Sequence, residues 1–417
     1  MTDRIAPEVS RRAILKGAAL GGVAAFIAAC TGARGTPAPS AATQAPASPG
    51  ASEPAASESP VSSEPPEVTG PLMFANWPAY IDLVGAAGDA GEYQPGSSPS
   101  LEEFQKEYKV EVDYQEKIGD NNAFVETIKP ALVTGLATGW DLMVLTDWMA
   151  SQIVTNGWVE KIDQSHVPNC TANLEDSLRN QPWDPGNDYH YPWQSGMTGV
   201  GYNEKTLKEN NIPLPTKIAD LWTIPPDKLT MLSEARDTFG LTLLKLGKSA
   251  DPAETTDADL DAVYADIKPL VDGGLRFTGN EYLQDFAQKK VWAAYVWSGD
   301  LASSGGEDDR FIIPEEGALI WTDNMLIPKG AANKYTAELM MNWVYDPKIA
   351  AMVAAYIYYV SPVKGAADEI KALDPGAESN PLLFPTPDVV AKLHNFQALT
   401  PEQEDKMNEL YAELSGV

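Results

Sequence analysis

Apolar and polar positions along the chain change period several times, and each change marks an element. Residues 71–76 form a short apolar run, ending in Asn76-Trp77-Pro78-Ala79-Tyr80, which predicts a strand followed by a polar-aromatic turn. Ser100 with Glu103 has the spacing of a capping box and predicts a helix to Tyr108. Val110 to Tyr114 then alternates apolar and polar, as a strand with one buried face does. Helical spacing over 122–136 leads into the apolar run from Trp140 to Leu145, a second buried strand. Further on, a strand is expected near Thr198 to Tyr202, helices over 237–246 and 257–271, and a strand through Val291 to Trp297. Thr400-Pro401-Glu402-Gln403 supplies an N-cap, a first-turn proline and a capping Gln for a last helix. Strands alternating with helices predict an α/β fold with helices flanking a largely parallel sheet.

The first 66 residues follow other rules. Ser10-Arg11-Arg12-Ala13-Ile14-Leu15-Lys16 matches a twin-arginine export motif, and an uncharged stretch from Gly17 to Ile27 follows it. That stretch is too short to span a bilayer as a helix. Ile27-Ala28-Ala29-Cys30 places two small residues ahead of a cysteine, the pattern of a lipobox, so Cys30 is the expected lipidation site. From Thr31 to Pro66 the chain is almost wholly Ala, Ser, Pro, Thr and Gly. Such a composition buries too little surface to offset its conformational entropy, so a disordered tether is expected.

Composition narrows the chemistry. The net charge is −29; residues 1–29 carry +2, so their removal leaves −31. A basic face for phosphate is therefore excluded, and nucleic acid with it, while a cationic ligand would be steered inward. Cys170 is the only cysteine besides Cys30, so no disulfide framework is expected. His166, His190 and His394 have no ligand spacing, so neither a metal site nor a histidine triad is expected. No cofactor is called for. With 11 Trp and 16 Tyr, aromatic surface is plentiful.

In open α/β sheets, ligands bind beyond the carboxyl ends of strands. Here those ends carry rings and acids: Trp77 and Tyr80, then Thr146, Asp147 and Trp148, then Trp297 and Asp300. Trp321 and Asp323, two apart on an extended segment, face one side together. Rings attract a cation and cover its methylenes, while carboxylates accept its N–H bonds, which is the chemistry of an alkylammonium site. A carboxylate pair such as Asp300 and Asp323, with tryptophan platforms, would also suit a glycoside hydrolase, and a site for another small cation is a third reading.

At these residues the chain resembles the spermidine/putrescine-binding proteins of bacterial ABC importers, from about Leu72 to the C-terminus. The matching stretches run from Phe74 to Tyr80, Trp140-Asp141-Leu142, Gly157 to Asp163, Asp184 to Tyr189, Trp297-Ser298-Gly299-Asp300, and Ile320 to Asp323 running into Ile327-Pro328. The resemblance implies a two-lobed periplasmic-binding-protein fold of type II, each lobe a mainly parallel sheet flanked by helices, with the ligand cleft between lobes. It implies a monomer that binds a polyamine without catalysis and delivers it to an ABC permease and its ATPase subunit. The expected organisation is a signal peptide over 1–29, lipidated cysteine and tether over 30–67, first lobe over 68–195, second lobe over 196–322, a return to the first lobe over 323–367, and a C-terminal segment on the second lobe over 368–417.

Carried over residue by residue, the resemblance implies ligand contacts at Trp77, Tyr80, Thr146 and Trp148, where the family's best-known members have Ser and Tyr at the last two. Glu234 and Asp237 resemble an acidic pair for one terminal amine, in reversed order. Trp297, Trp321, Asp323 and Tyr359 match the aromatic box and central carboxylate, and Gln397 falls where a terminal amide contact is expected. A Gly-rich insertion between Ile81 and Pro99 departs from the family beside the Trp77/Tyr80 corner.

Overall fold

A computed structural model describes residues 65–84, 96–251, 253–395 and 399–416. The export motif, Cys30, the tether, most of the glycine-rich insertion and Gln397 lie outside the described residues. Within them no helix is long and apolar enough to cross a membrane.

Among the described residues ten strands form one sheet: β1 (Leu72–Asn76), β2 (Val112–Glu116), β3 (Leu142–Thr146), β4 (His190–Asn203), β5 (Leu229–Leu232), β6 (Arg276–Thr278), β7 (Ala293–Trp297), β8 (Asp309–Ile312), β9 (Ala318–Leu326) and β10 (Leu393–Asn395). Their order is β2-β1-β3-β9-β4-β7-β5-β6, with β8 on β4 and β10 on β9. The two wings are parallel, β2-β1-β3 on one side and β7-β5-β6 on the other. The centre is antiparallel. β9 runs against β3 over Asp323–Leu326, and β4 runs against both β9 and β7. Two long central strands thus join two parallel wings, as a two-lobed α/β fold of the periplasmic-binding type requires.

Helices cover the sheet, and several are capped by their own side chains. α1 (Pro99–Tyr108) is capped by Ser98, not by Ser100 as the Ser100/Glu103 spacing suggested. Proline at the first helical position fixes the start two residues earlier, and Ser100 instead donates its backbone N–H to Asp82, 3.0 Å away. Asp82 also accepts from the Ser98 hydroxyl at 2.9 Å, which pins the base of the insertion. α2 (Asn121–Thr134) is capped by Asp120, and α3 (Asp147–Thr155) follows β3 directly. In the second wing α4 (Ala235–Lys245) follows β5, α5 (Asp257–Asp272) has a Thr256/Asp259 capping box, and α6 (Ser298–Ser304) follows β7. α7 (Pro347–Ile357) precedes the Tyr358-Tyr359 segment, and α8 (Pro401–Ser415) carries the expected Thr400/Gln403 box.

Strand β4 is much longer than the expected Thr198–Tyr202. All fourteen of its residues are buried, including Gln194, Ser195 and Thr198, because it runs through the middle of the sheet with a partner on each side.

Candidate ligand-binding site

Parallel strands in each wing end toward the molecular centre, so the residues after β1, β3, β5, β6 and β7 converge on one cavity. From the first wing come Trp77, Pro78 and Tyr80 after β1, and Thr146 at the end of β3. From the second come Glu234 and Asp237 after β5, Asn280 after β6, and Trp297 and Asp300 at the end of β7. Trp321 and Asp323 enter from β9, and Tyr359 from the segment after α7.

Two left-handed residues set the ring positions. Ala79, with φ of 57°, turns the chain between Trp77 and Tyr80, and Tyr358, with φ of 60°, ends α7 just before Tyr359. Non-glycine residues take this conformation only when the surroundings compel it, often at functional sites. Trp77 is fixed by an Nε1–H bond to the Val144 carbonyl at 3.1 Å. Its ring meets Trp297 edge-on across the cavity, centroids 5.9 Å apart, and Tyr80 meets Tyr359 edge-on at 5.1 Å. Trp321 lies 5.5 Å from Tyr359. Glycines make room for that stack. A Cβ at Gly196 would come within 2.5 Å of the Trp321 ring, and one at Gly299 would strike Tyr359 and come within 2.6 Å of the Ile357 carbonyl.

Each carboxylate has its own surroundings. Asp237, in the first turn of α4, accepts from the Thr198 hydroxyl, which in turn accepts from Trp321 Nε1 at 2.9 Å. Glu234 Oε1 accepts from the backbone N–H of Asn121, and from its side-chain amide at 3.1 Å. The same Asn121 amide donates to Thr146 Oγ1 at 2.9 Å. Glu234 therefore ties the second wing to the helix start of the first. Asp300 is fully engaged, accepting from Tyr359 at 2.8 Å, from Tyr282 at 2.6 Å and from Asn280 Nδ2 at 2.7 Å. Asp323 is different: it is 4% exposed and its Oδ1 has no hydrogen-bond partner.

Among the described residues no lysine, arginine or histidine lines the cavity. Burial without a cation disfavours the charged form of an acid, and it pushes Asp237 and Asp323 up to about 7. Burial also raises Asp300, and it holds Glu234 well above the usual range, helped by the neighbouring Asp120 carboxyl. An anion would find no partner here. A cation would find four acids and five aromatic rings.

Of the residues expected to touch ligand, the cavity brings together Trp77, Tyr80, Thr146, Glu234, Asp237, Trp297, Trp321, Asp323 and Tyr359. Trp148 is not among its lining. It sits in the first turn of α3, 1% exposed, with the Arg236 guanidinium 4.7 Å from its ring centroid, so it packs behind the cavity wall. Arg236 itself is buried and paired with Glu404 of α8. Pro78 and Asn280 line the cavity without having been expected there; Asp300, read from the sequence as a strand-end acid and as half of a possible hydrolase pair, lines it too. Among the described residues no group of His, Cys, Asp and Glu side chains could hold a metal ion.

Comparison with known proteins gives this geometry its relatives. The profile of the bacterial extracellular solute-binding proteins matches residues 100–385. The chain is 30% identical over 325 residues to a spermidine/putrescine-binding periplasmic protein of Salmonella typhimurium, covering 77% of this chain and 85% of that one. It is 27% identical to the putrescine-binding periplasmic protein PotF of Escherichia coli, over 72% of this chain and 83% of that one. A solved spermidine/putrescine ABC transporter structure from Listeria monocytogenes superposes with a TM-score of 0.68 at 25% identity, covering 82% of this chain and 98% of that one. By profile, sequence and fold alike, this chain belongs to the bacterial extracellular solute-binding protein family.

Proposed function

We propose that the protein captures a polyamine of the spermidine or putrescine type outside the cytoplasm and delivers it to an ABC permease and its ATPase subunit. The observation that carries this reading is the cavity wall: four buried acids and five aromatic rings with no basic side chain among them. A polyamine answers each part. Its ammonium groups meet the carboxylates in a partly desolvated site, where charge-assisted hydrogen bonds are strong, and its methylenes lie on the ring faces. Relatives named for spermidine and putrescine support the same ligand class. Trp77, Tyr80, Thr146, Glu234, Asp237, Trp297, Trp321, Asp323 and Tyr359 are the proposed ligand-binding residues.

The hydrolase reading is disfavoured by Asp300. Three donors, from Tyr359, Tyr282 and Asn280, hold it within the wall, and the family profile that matches the chain is one of solute binding.

The chain is further proposed to be a lipoprotein, held at the membrane through Cys30 and set off from it by the 31–66 segment; the sequence motif around Cys30 supports this. A calorimetric titration of the protein with putrescine, spermidine, spermine, a sugar panel and amino acids tests the ligand class. Stoichiometric heat with polyamines and none with sugars is expected. Binding of sugars alone would sink the proposal.

A further inference from the structure

Asn280 stands just beyond the three-residue strand β6 and lines the cavity with its side chain partly exposed. Its Nδ2 donates to Asp300 Oδ2 at 2.7 Å, while its Oδ1 is buried with no hydrogen-bond partner. The orientation of the amide follows from chemistry. Asp300 already accepts from the Tyr282 and Tyr359 hydroxyls. A carboxylate collecting phenolic donors takes the NH₂ of an amide and repels its oxygen. Asn280 Oδ1 is thereby turned away from Asp300 and left as a neutral acceptor at the cavity wall. A buried acceptor without a donor is destabilising, and in a native structure such an atom is met by an ordered water, an ion or a bound ligand, or serves a function.

We propose that Asn280 is a further ligand-contacting residue of this cavity, its amide oxygen accepting an N–H from a bound ammonium group, and that Asp300 is the positioning residue that aims it. The inference rests on the polyamine reading above and assigns two residues within it. It gives the cavity's acids different roles. Asp323 keeps a free oxygen for the ligand, whereas Asp300 spends its oxygens on Tyr282, Tyr359 and Asn280 and acts on the ligand through them. A neutral acceptor also adds a hydrogen bond without adding negative charge to a cavity already crowded with acids.

The test uses the full chain and titrates putrescine and spermidine calorimetrically into wild type, Asn280→Leu, Asn280→Asp, Asp300→Asn and the Asn280→Leu/Asp300→Asn double variant. Melting of each ligand-free protein is followed in parallel. Leucine keeps the branched outline of the side chain and removes both the acceptor and the Nδ2 donor to Asp300, so about a tenfold loss of affinity is expected, with ligand-free melting lowered by no more than the loss of one hydrogen bond. Aspartate retains an oxygen toward the cavity but loses the N–H that Asp300 holds, so its affinity is expected to fall below wild type by less than that of the leucine variant. Asp300→Asn should weaken binding, and the double variant should bind no more weakly than Asn280→Leu alone, because the two residues act as one unit. Should Asn280→Leu prevent folding, Asn280→Ala takes its place. Unchanged affinity in Asn280→Leu, or equal losses in the leucine and aspartate variants, would overturn the inference while leaving the ligand class intact. Wild type that binds neither amine would overturn both.

Discussion

Asp323 keeps one buried oxygen without a partner, and its protonation should govern how the protein responds to pH. Its value, like that of Asp237, lies near 7 rather than at the usual carboxylate position, with burial as the main cause. A folded-state value raised above the unfolded one stabilises the protein below the unfolded value, near 4, and that stabilisation is lost as pH climbs toward and past 7. The ligand-free protein should therefore melt at a lower temperature at pH 8 than at pH 5.5, as differential scanning calorimetry would record. Polyamine binding should run the other way. An ammonium group must displace the protons these acids hold, so affinity should rise by about tenfold or more from pH 6 to pH 8, and titrations in buffers of different ionisation heat should register proton release. Replacing Asp323 by Asn should remove a charge-assisted bond of about 1.5–3 kcal/mol, a loss of roughly ten- to a hundred-fold in affinity. Full affinity in a folded Asp323→Asn variant would show that the carboxylate is not a ligand group.

At the scale of elements, the cavity depends on what the strand ends and helix starts leave out. Gly299, in the first turn of α6, lets the Tyr359 ring lie against the backbone. An alanine there should push Tyr359 out of the stack with Tyr80 and Trp321, costing about 1–3 kcal/mol of stability and weakening polyamine binding, which a melt and a titration of Gly299→Ala would measure together. Periodicity made most of these elements legible: β1, β3, α2, α4, α5, β7 and α8 fall close to where the apolar pattern and the caps put them. Others were not legible, and two of them show why. The first half of β4 carries Pro192, Gln194, Ser195 and Gly196, a polar stretch that reads as a loop and becomes strand only because β9 pairs with it in the buried centre. β6 is three residues followed closely by Gly279, too short for any period to declare itself, so Asn280 beyond it gave no signal of its place. Trp148 was misplaced by its position at a strand end. One residue into a helix is already enough to turn a side chain behind the wall.

For the whole molecule, the cavity draws its residues from both wings, so a ligand that bridges them should stabilise the folded state. Spermidine at a hundred times its dissociation constant should add about 2.7 kcal/mol, visible as a raised melting temperature that monoamines and neutral sugars do not produce. Retention at the membrane should depend on Cys30, and Cys30→Ala should release the protein from a salt-washed membrane fraction. The edge-on pair of Trp77 and Trp297 reaches from the end of β1 in one wing to the end of β7 in the other, 5.9 Å between centroids. Two indoles that close and fixed in angle couple their electronic transitions, and the coupling falls steeply with their separation. The pair thus carries its own optical signature: a far-ultraviolet circular dichroism couplet, absent from Trp77→Phe and Trp297→Phe alike, whose response to added polyamine would report, with no attached dye, any change in the distance between the two strand ends.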